Sequence, residues 1–323
     1  EGARLRRPGG CAMIRAMGAT RRAFLLGMVQ RRRARLEALE RVMGPMPDPD
    51  GPPRQETVEE QRGEGYQRRK IPFEAEPGDL VPAWLLVPDR PHPRRPAALC
   101  LHQTTKIGKD EPAGLGGRPN LHLAKELAQR GWTALAPDYP NFGEYRCDPY
   151  ARGYTSATMK GILNHARALR LLASLEGVDG RRIAAVGHSL GGHNALFLAA
   201  FEPRVAAVVT SCGFTSFRRY MGGDLRGWSH SGYMPRIASE FGCDPARMPF
   251  DFTHVFELIA PRPVFVNAPT GDDNFDVRGV REVLEAVRGR FPPGKLKAVY
   301  PACGHDFPAA AREQAWSFLE GAL

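Results

Sequence analysis

The sequence lacks the features that mark several common classes of protein. No apolar stretch approaches the roughly 18 residues of a membrane span, so no transmembrane segment is predicted. No group of His, Asp or Glu has metal-ligand spacing and no glycine-rich loop fits a nucleotide, so we predict neither a metal nor a cofactor. The cysteines show no C-x-x-C spacing, and several lie in apolar runs, as is typical of reduced thiols; they are Cys11, Cys100, Cys147, Cys212, Cys243 and Cys303.

A strong charge of one sign is also missing from most of the chain, although the net charge is +10. Residues 1–70 hold 16 Lys and Arg against 9 Asp and Glu, whereas the remaining residues hold 29 against 26. The basic excess therefore belongs to an N-terminal arm. Nucleic-acid binding would need basic residues interleaved with aromatics on an ordered face, and the arm has few aromatics, so no nucleic-acid partner is predicted.

The arm itself contains one predicted element. Residues 22–43 have the pattern of a basic amphipathic helix that ends at Gly44-Pro45, and a proline-rich linker follows to Pro53. Residues 1–20 are expected to be disordered.

Residues 20–25 resemble a twin-arginine export signal, but the apolar segment after them is far shorter than the ~7–15 residues that such a signal needs. A cytoplasmic protein is therefore favoured. Met13 and Met17 are both plausible start positions.

After residue 65 the patterns of strands and helices alternate, as a mostly parallel sheet requires. The predicted strands cover residues 66–76, 81–87, 97–102, 132–136, 182–186, 205–209, 263–267 and 296–300, the first two forming an antiparallel hairpin. Helices are predicted around residues 121–128, 155–176, 194–200 and 277–290, and from residue 309. The fold predicted is an eight-stranded, mostly parallel sheet with helices on both faces. Residues 213–260 are predicted to form an insertion over the expected active site.

One stretch has the form of a catalytic turn. Gly187-His188-Ser189-Leu190-Gly191-Gly192 lies between a buried strand and a helix, the context in which G-x-S-x-G forms a nucleophile elbow. The turn leaves no room for side chains at residues 187 and 191, and it exposes the Ser189 hydroxyl at the helix N-terminus.

A serine nucleophile needs a histidine base and an acid that orients the base, and in this fold they follow the serine in the order acid, histidine. His305 comes just after the last strand, and Asp272-Asp273-Asn274 follows the strand that ends at Asn267. The oxyanion of the intermediate needs two N–H donors. We expect them to come from Leu190 and from the turn at Gln103 or Thr104.

Together these residues resemble the α/β-hydrolase superfamily from about residue 66 to residue 323, some four-fifths of the chain. The hairpin, the elbow, Ile259-Ala260-Pro261-Arg262-Pro263-Val264 and Gly304-His305-Asp306 are similar to the dienelactone hydrolase, acetyl-xylan esterase and prolyl-oligopeptidase-like branch. The resemblance implies cofactor-free hydrolysis of esters or peptides. Dienelactone hydrolases use a cysteine nucleophile, so Ser189 argues against that narrower activity.

The resemblance also selects a candidate acid. An Asp-Asn pair in acetyl-xylan esterase-like loops aligns with Asp273-Asn274, which makes Asp273 the expected acid and Asp272 the alternative. Asp276 is then expected to cap the following helix.

The prediction is a cofactor-independent serine hydrolase over residues 61–323, preceded by an extension over residues 1–60. A carboxylesterase acting on a small or medium acyl ester is favoured, with a peptidase or amidase and a non-catalytic binding protein as alternatives. The predicted catalytic residues are Ser189, Asp273 and His305, the oxyanion donors are Leu190, Gln103 and Thr104, and the substrate-binding residues are His188, Trp228 and Tyr233. The partner expected is a small-molecule ester, and the sequence leaves the oligomeric state open.

Overall fold

A central sheet organises the computed structural model, which describes residues 10–48 and 51–323, with side chains from residue 27 onward. The strands are β1 Glu59–Arg62, β2 Tyr66–Lys70, β3 Phe73–Glu76, β4 Asp79–Val81, β5 Ala83–Pro88, β6 Arg95–Leu101, β7 Thr133–Pro137, β8 Val178–His188, β9 Ala207–Ser211, β10 Val264–Asn267 and β11 Leu296–Val299. The helices are α1 Gly10–Met43, α2 Leu123–Gln129, α3 Ala157–Ser174, α4 Leu190–Phe201, α5 Arg236–Ser239, α6 Phe252–Ile259, α7 Val277–Val287 and α8 Ala309–Ala322.

The main sheet has the strand order β1-β2-β5-β7-β6-β8-β9-β10-β11. Strands from β7 to β11 are parallel, while β1, β2 and β5 join by antiparallel pairing. The register pairs Leu101 with Gly187, His188 with Ser211, and Ser211 with Asn267. The carboxyl ends of β6, β8, β9 and β10 therefore lie side by side, which is where open α/β sheets carry their sites.

The sheet has nine strands rather than the predicted eight. The additional strand is β1, whose sequence Glu-Glu-Gln-Arg is almost wholly exposed at the sheet edge. Charged residues are typical of edge strands, and they carry no alternation of apolar and polar residues by which a strand could be predicted.

The predicted N-terminal hairpin is confirmed, but it is divided between two sheets. β2 pairs with β5 in the main sheet, whereas β3 pairs with β4 in a separate two-stranded sheet beyond them. Gly78, at the tip, has a φ of 72°, the left-handed conformation that favours glycine in a turn.

Helix α1 begins at Gly10, so the predicted start at residue 22 and the predicted disorder of residues 10–20 are wrong. Residues 1–9 lie outside the described residues. The last turns of α1 enter the core, because Leu39, Val42 and Met43 are fully buried. The Arg32 guanidinium also donates to the carbonyls of Leu258 (2.9 Å) and Ala200 (3.0 Å). The division between residues 1–60 and 61–323 stays a prediction.

Because Leu39 is fully buried, Leu39→Ala is expected to lower the free energy of unfolding by about 2–5 kcal/mol. Val29→Ala is the matched control, since Val29 lies on the same helix with 65% of its surface exposed, and it should change stability by less than about 0.5 kcal/mol. Urea unfolding measures both. Equal, small effects would contradict the packing of α1 against the core.

No helix in the described part of the chain is long and apolar enough to cross a membrane. The cytoplasmic location stays a prediction.

The segment of residues 213–260 interrupts the alternation of strands and helices, as predicted, and contains α5 and α6. Its centre is a cluster of aromatic rings. Trp228 packs on Phe217 and Phe252 of the segment, and Phe252 stacks on Phe197 of helix α4. The insertion is thus attached to the helix that follows the elbow.

Candidate active site

The elbow has the tight geometry that its sequence predicts. A Cβ atom on Gly187 would lie 2.2 Å from the backbone of Gly191, and one on Gly191 would lie 2.0 Å from the carbonyl oxygen of Leu101. Neither position can hold a larger residue without moving backbone. Ser189 itself has a φ of 52° and a ψ of −117°, a conformation that a non-glycine residue adopts only when its surroundings enforce it.

The surroundings of Ser189 hold its backbone and leave its hydroxyl available. Its N–H donates to the carbonyl of Ser211 at 2.8 Å, and its own carbonyl accepts from the N–H of His193 at 3.1 Å. Leu190 begins helix α4 directly after it. The first N–H groups of a helix have no partner within the helix and carry partial positive charge, so the N–H of Leu190 is suited to an oxyanion.

His305 faces a carboxylate on the neighbouring loop. Its Nδ1 lies 3.0 Å from both oxygens of Asp272. With an ionised carboxylate as acceptor, Nδ1 carries the proton, and Nε2 is left with a free lone pair for an incoming proton. The imidazole is 20% exposed, whereas the carboxylate is 1% exposed.

The residue beside His305 is therefore Asp272, and the prediction that placed Asp273 there is wrong. Asp273 is exposed. The loops of Asp272 and His305 approach closely, because the N–H of Gly271 donates to the carbonyl of Cys303 at 3.0 Å. This contact helps to set which of the two aspartates faces His305. Asp276 accepts from the N–H of Arg278 at 2.8 Å, which confirms its prediction as the N-cap of α7.

The Asp272 carboxylate is held in its charged form. Burial acts to raise its pKa, but the hydrogen bond and charge of His305 outweigh burial, together with the N–H groups of Asn274 (2.9 Å) and Phe275 (3.1 Å). The net result is a lowered pKa. The stabilisation from these contacts is therefore present above about pH 3.9 and is lost as the pH falls through the lowered folded-state pKa.

Residues that the sequence did not single out anchor the loop of His305. Asn267 and Cys212, at the carboxyl ends of β10 and β9, contact the carbonyl of Asp306 at 2.9 Å and 3.4 Å. Arg118 and Asn120 bind the carboxylate of Asp306 from the other side. The one available signal was the position of polar Asn267 at the end of an apolar strand.

The turn predicted to complete the oxyanion site lies directly after β6. His102 holds it, because its Nδ1 lies 2.6 Å from the carbonyl of Gln103 and its Nε2 accepts from the N–H of Tyr139 at 2.9 Å. Thr104 is linked to the insertion by a contact of 3.2 Å between its Oγ1 and the hydroxyl of Tyr233. This contact joins the turn to the insertion at Thr104, one of the predicted oxyanion donors.

Two of the three predicted substrate-binding residues, His188 and Trp228, are buried, and their role toward a substrate stays a prediction. His188 is 1% exposed, packs under the His305 ring with 4.9 Å between centroids, and contacts Ser211 Oγ at 2.9 Å. Trp228 is 3% exposed and packs against His193 at 4.7 Å. Tyr233, the third of these residues, is half-buried.

Cys212, Asp272 and His305 bring potential metal-ligating atoms within 4.8 Å of one another. Asp272 accepts hydrogen bonds through both oxygens, one of which also receives two backbone N–H groups. This geometry is that of an aspartate that orients a histidine. The sequence-based expectation of no metal stays a prediction.

Activity is expected to fall as the pH drops from 8 to 5, by up to tenfold per pH unit at the acid end, because a histidine base must be neutral to accept a proton. The other histidines buried near the sheet stay neutral in the folded protein over this range, since burial lowers their pKa to about 4 (His102) or about 3 (His165, His188 and His193). Measuring kcat/KM over this range tests His305, and a flat profile would contradict its role.

The lowered pKa values of these buried histidines also lead us to expect that the folded protein becomes less stable as the pH falls. Between their lowered folded-state pKa and the ordinary value of about 6.5, the unfolded chain binds more protons than the folded protein. The melting temperature should therefore fall as the pH drops below about 6.5. It must be recorded beside each rate to separate activity lost by unfolding from activity lost in the folded protein.

Sequence comparison matches this chain to a protein family and to individual proteins. The profile of a family described as "Alpha/beta hydrolase family" matches residues 112–316. The protein YtaP of Bacillus subtilis (strain 168) is 24% identical over 307 residues, which cover 90% of this chain and 99% of YtaP.

Solved structures with the same architecture include a glucuronoyl esterase from Solibacter usitatus, with a TM-score of 0.69, 18% identity and coverage of 90% of this chain and 92% of that chain. An acetyl xylan esterase from Paenibacillus sp. R4 has a TM-score of 0.63, 19% identity and coverage of 84% and 89%. At these identities the likeness concerns the fold.

Proposed function

Because the chain belongs to the alpha/beta hydrolase family, we propose that it is a cofactor-independent serine esterase in which Ser189, His305 and Asp272 form the catalytic triad. The observation that carries the proposal is the pairing of His305 Nδ1 with the buried Asp272 carboxylate beside the strained elbow. This pairing leaves Nε2 as the proton acceptor, on a histidine that follows the last strand as the triad order requires.

The proposed reaction proceeds in two halves. Ser189 Oγ attacks the ester carbonyl while His305 takes its proton, and the proton then passes to the leaving alcohol as the acyl-enzyme forms. Water, deprotonated by His305, attacks the acyl-enzyme and releases the carboxylic acid. Asp272 stays ionised and stabilises the imidazolium in both halves.

The developing oxyanion is bound by the N–H of Leu190 and by an N–H of the turn at Gln103 and Thr104. The support for this assignment is the register, since Leu101 pairs with Gly187 and the turn follows Leu101 by two residues. Donors of this kind act where charge develops, and each is worth about 10²–10³ in kcat.

The substrate proposed is a small or medium acyl ester. Acetyl xylan and glucuronoyl esterases among the structural neighbours make acetylated sugars and sugar-acid esters the first compounds to try. A panel of acyl esters from acetyl to long chain, acetylated sugars and a peptide anilide tests the choice.

A covalent probe tests the mechanism separately from the substrate. An organophosphonate should add one label to a peptide that contains Ser189, and the label should be absent from Ser189→Ala. Ester turnover with labelling is the expected result. Turnover of the anilide but of no ester would replace the esterase by an amidase, and neither labelling nor turnover would favour a binding protein.

A further inference from the structure

A cleft of about 360 Å³ opens beside the proposed oxyanion turn. Residues 104–106 form one wall, and residues 141–143 with Arg146 form the other. Thr104 belongs both to this wall and to the proposed oxyanion site. We refer to this space as the basic cleft, because its lining includes Lys106 and Arg146 and no acidic residue.

The two cations of the basic cleft are exposed and have no carboxylate partner among the described residues. The Arg146 guanidinium is nevertheless held in place, because its Nη1 donates to the carbonyls of Gly143 (2.9 Å) and Tyr145 (3.4 Å). The remaining guanidinium nitrogens have no hydrogen-bond acceptor within the described chain. A planar guanidinium with free N–H groups matches the two oxygens of a carboxylate.

A buried carboxylate connects the two loops that form the walls of the basic cleft. Asp138, which is fully buried, accepts the N–H of Lys109 at 2.7 Å and the N–H of Glu144 at 3.0 Å. These two residues belong to the loops on either side of the cleft. A ligand therefore meets walls that are already in place, which reduces the entropy lost on binding.

Acidic groups near the basic cleft are directed toward other cations. The Lys109 ammonium lies 3.3–3.4 Å from Asp110, Asp138 and Glu144, and Lys70 lies 2.7 Å from Glu144. Three carboxylates thus face two ammonium groups. Glu111, a further buried carboxylate near the turn, accepts from the Gln103 side-chain amide at 3.0 Å and from the N–H of Arg118 at 3.1 Å. None of these four carboxylates lines the cleft, whereas Lys106 and Arg146 do.

We propose that the basic cleft binds a free carboxylate on the ester substrate, with Lys106 and Arg146 as the residues that select it. This inference rests on the proposed esterase function and adds the substrate class: an ester whose acyl or alcohol part carries an anionic group next to the scissile bond. The half-buried Phe142 ring supplies an apolar surface for the part of the substrate between the two groups.

Two pairs of matched esters test the proposal and identify the side on which the carboxylate lies. The acyl arm compares mono(4-nitrophenyl) glutarate with the 4-nitrophenyl ester of glutaramic acid. The alcohol arm compares acetylated glucuronic acid with acetylated glucuronamide. In each pair the amide has the same shape without the charge. The carboxylate member should have the higher kcat/KM in one arm, and salt at 0.5 M should reduce the preference.

The variant Lys106→Glu with Arg146→Glu should lower the carboxylate-to-amide ratio of kcat/KM by at least tenfold, because two attractions become two repulsions. Arg90→Glu with Arg204→Glu is the matched control. It makes the same charge change at exposed residues that follow β5 and α4, at the opposite edge of the sheet, and should leave the ratio unchanged. A ratio that stays within twofold in both arms would overturn the proposal.

Binding to Ser189→Ala, measured by calorimetry with the same four esters, separates this inference from the proposed function. A carboxylate preference in binding that is lost in the Glu variant supports the basic cleft even if no ester is hydrolysed. Hydrolysis of both members of each pair at equal rates and with equal binding supports the esterase and rejects the cleft.

Discussion

Replacing Ser189 with alanine is expected to lower kcat by about 10⁴–10⁶-fold, because the reaction loses its nucleophile and the acyl-enzyme cannot form. The residual rate would come from binding and from the proposed oxyanion donors of Leu190 and the turn after β6, which the substitution leaves in place. The rate of hydrolysis of whichever ester the panel identifies is the measurement. The substitution removes one oxygen atom, so the fold should persist.

Ser239→Ala is the matched control for this experiment. Ser239 ends helix α5 in the insertion and is exposed. Among the described residues, its hydroxyl hydrogen-bonds only to the carbonyl of Pro235, at 3.4 Å. Its removal should leave kcat unchanged. If Ser189→Ala kept more than a hundredth of the wild-type rate with an unaltered circular dichroism spectrum, the elbow would not carry the chemistry.

Asp272→Asn is expected to lower kcat by about 10⁴-fold with little change in shape. The amide can donate to Nδ1 of His305, which would move the imidazole proton to Nε2, so that Nε2 could no longer accept the proton of the proposed nucleophile. The loss should therefore appear in kcat more than in KM. Because Asp272→Asn removes the charge and keeps the shape, it tests how the side chain orients His305 and not how it packs.

Asp273→Asn makes the same change one residue away, at an exposed side chain, and should stay within a few-fold of the wild-type rate. The pair of variants decides between two adjacent residues under identical conditions. If Asp273→Asn lost activity and Asp272→Asn retained it, the hydrogen bond between Asp272 and His305 would not be the one that catalysis uses.

Much of the fold follows from local patterns. The strands from β6 to β11 and helix α3 lie where apolar runs and helical periodicity predict them, because a buried parallel strand and an amphipathic helix each need a distinctive order of apolar residues. The α/β-hydrolase fold is confirmed on this basis. Strand β1 is not predicted, because its charged residues suit an exposed sheet edge and show no order of apolar residues.

The candidate active site also has parts that the sequence predicts and parts that it does not. The sequence alone determined the elbow through its glycines. A Cβ at residue 187 would lie 2.2 Å from the backbone of the same turn, and one at residue 191 would lie 2.0 Å from the neighbouring strand. It also determined His305 as the histidine after the last strand. These are properties of short segments and of chain order, which the sequence displays directly.

Only the tertiary structure decided which aspartate faces His305. The choice depends on how two loops more than thirty residues apart align, through the backbone hydrogen bonds of Thr270 to Pro301 (2.9 Å) and of Gly271 to Cys303 (3.0 Å). A shift of one residue would reverse it. The burial of His188 and Trp228 likewise depends on what the fold packs above them. Such features arise from contacts between distant segments, and neither residue type nor spacing along the chain specifies how those segments align.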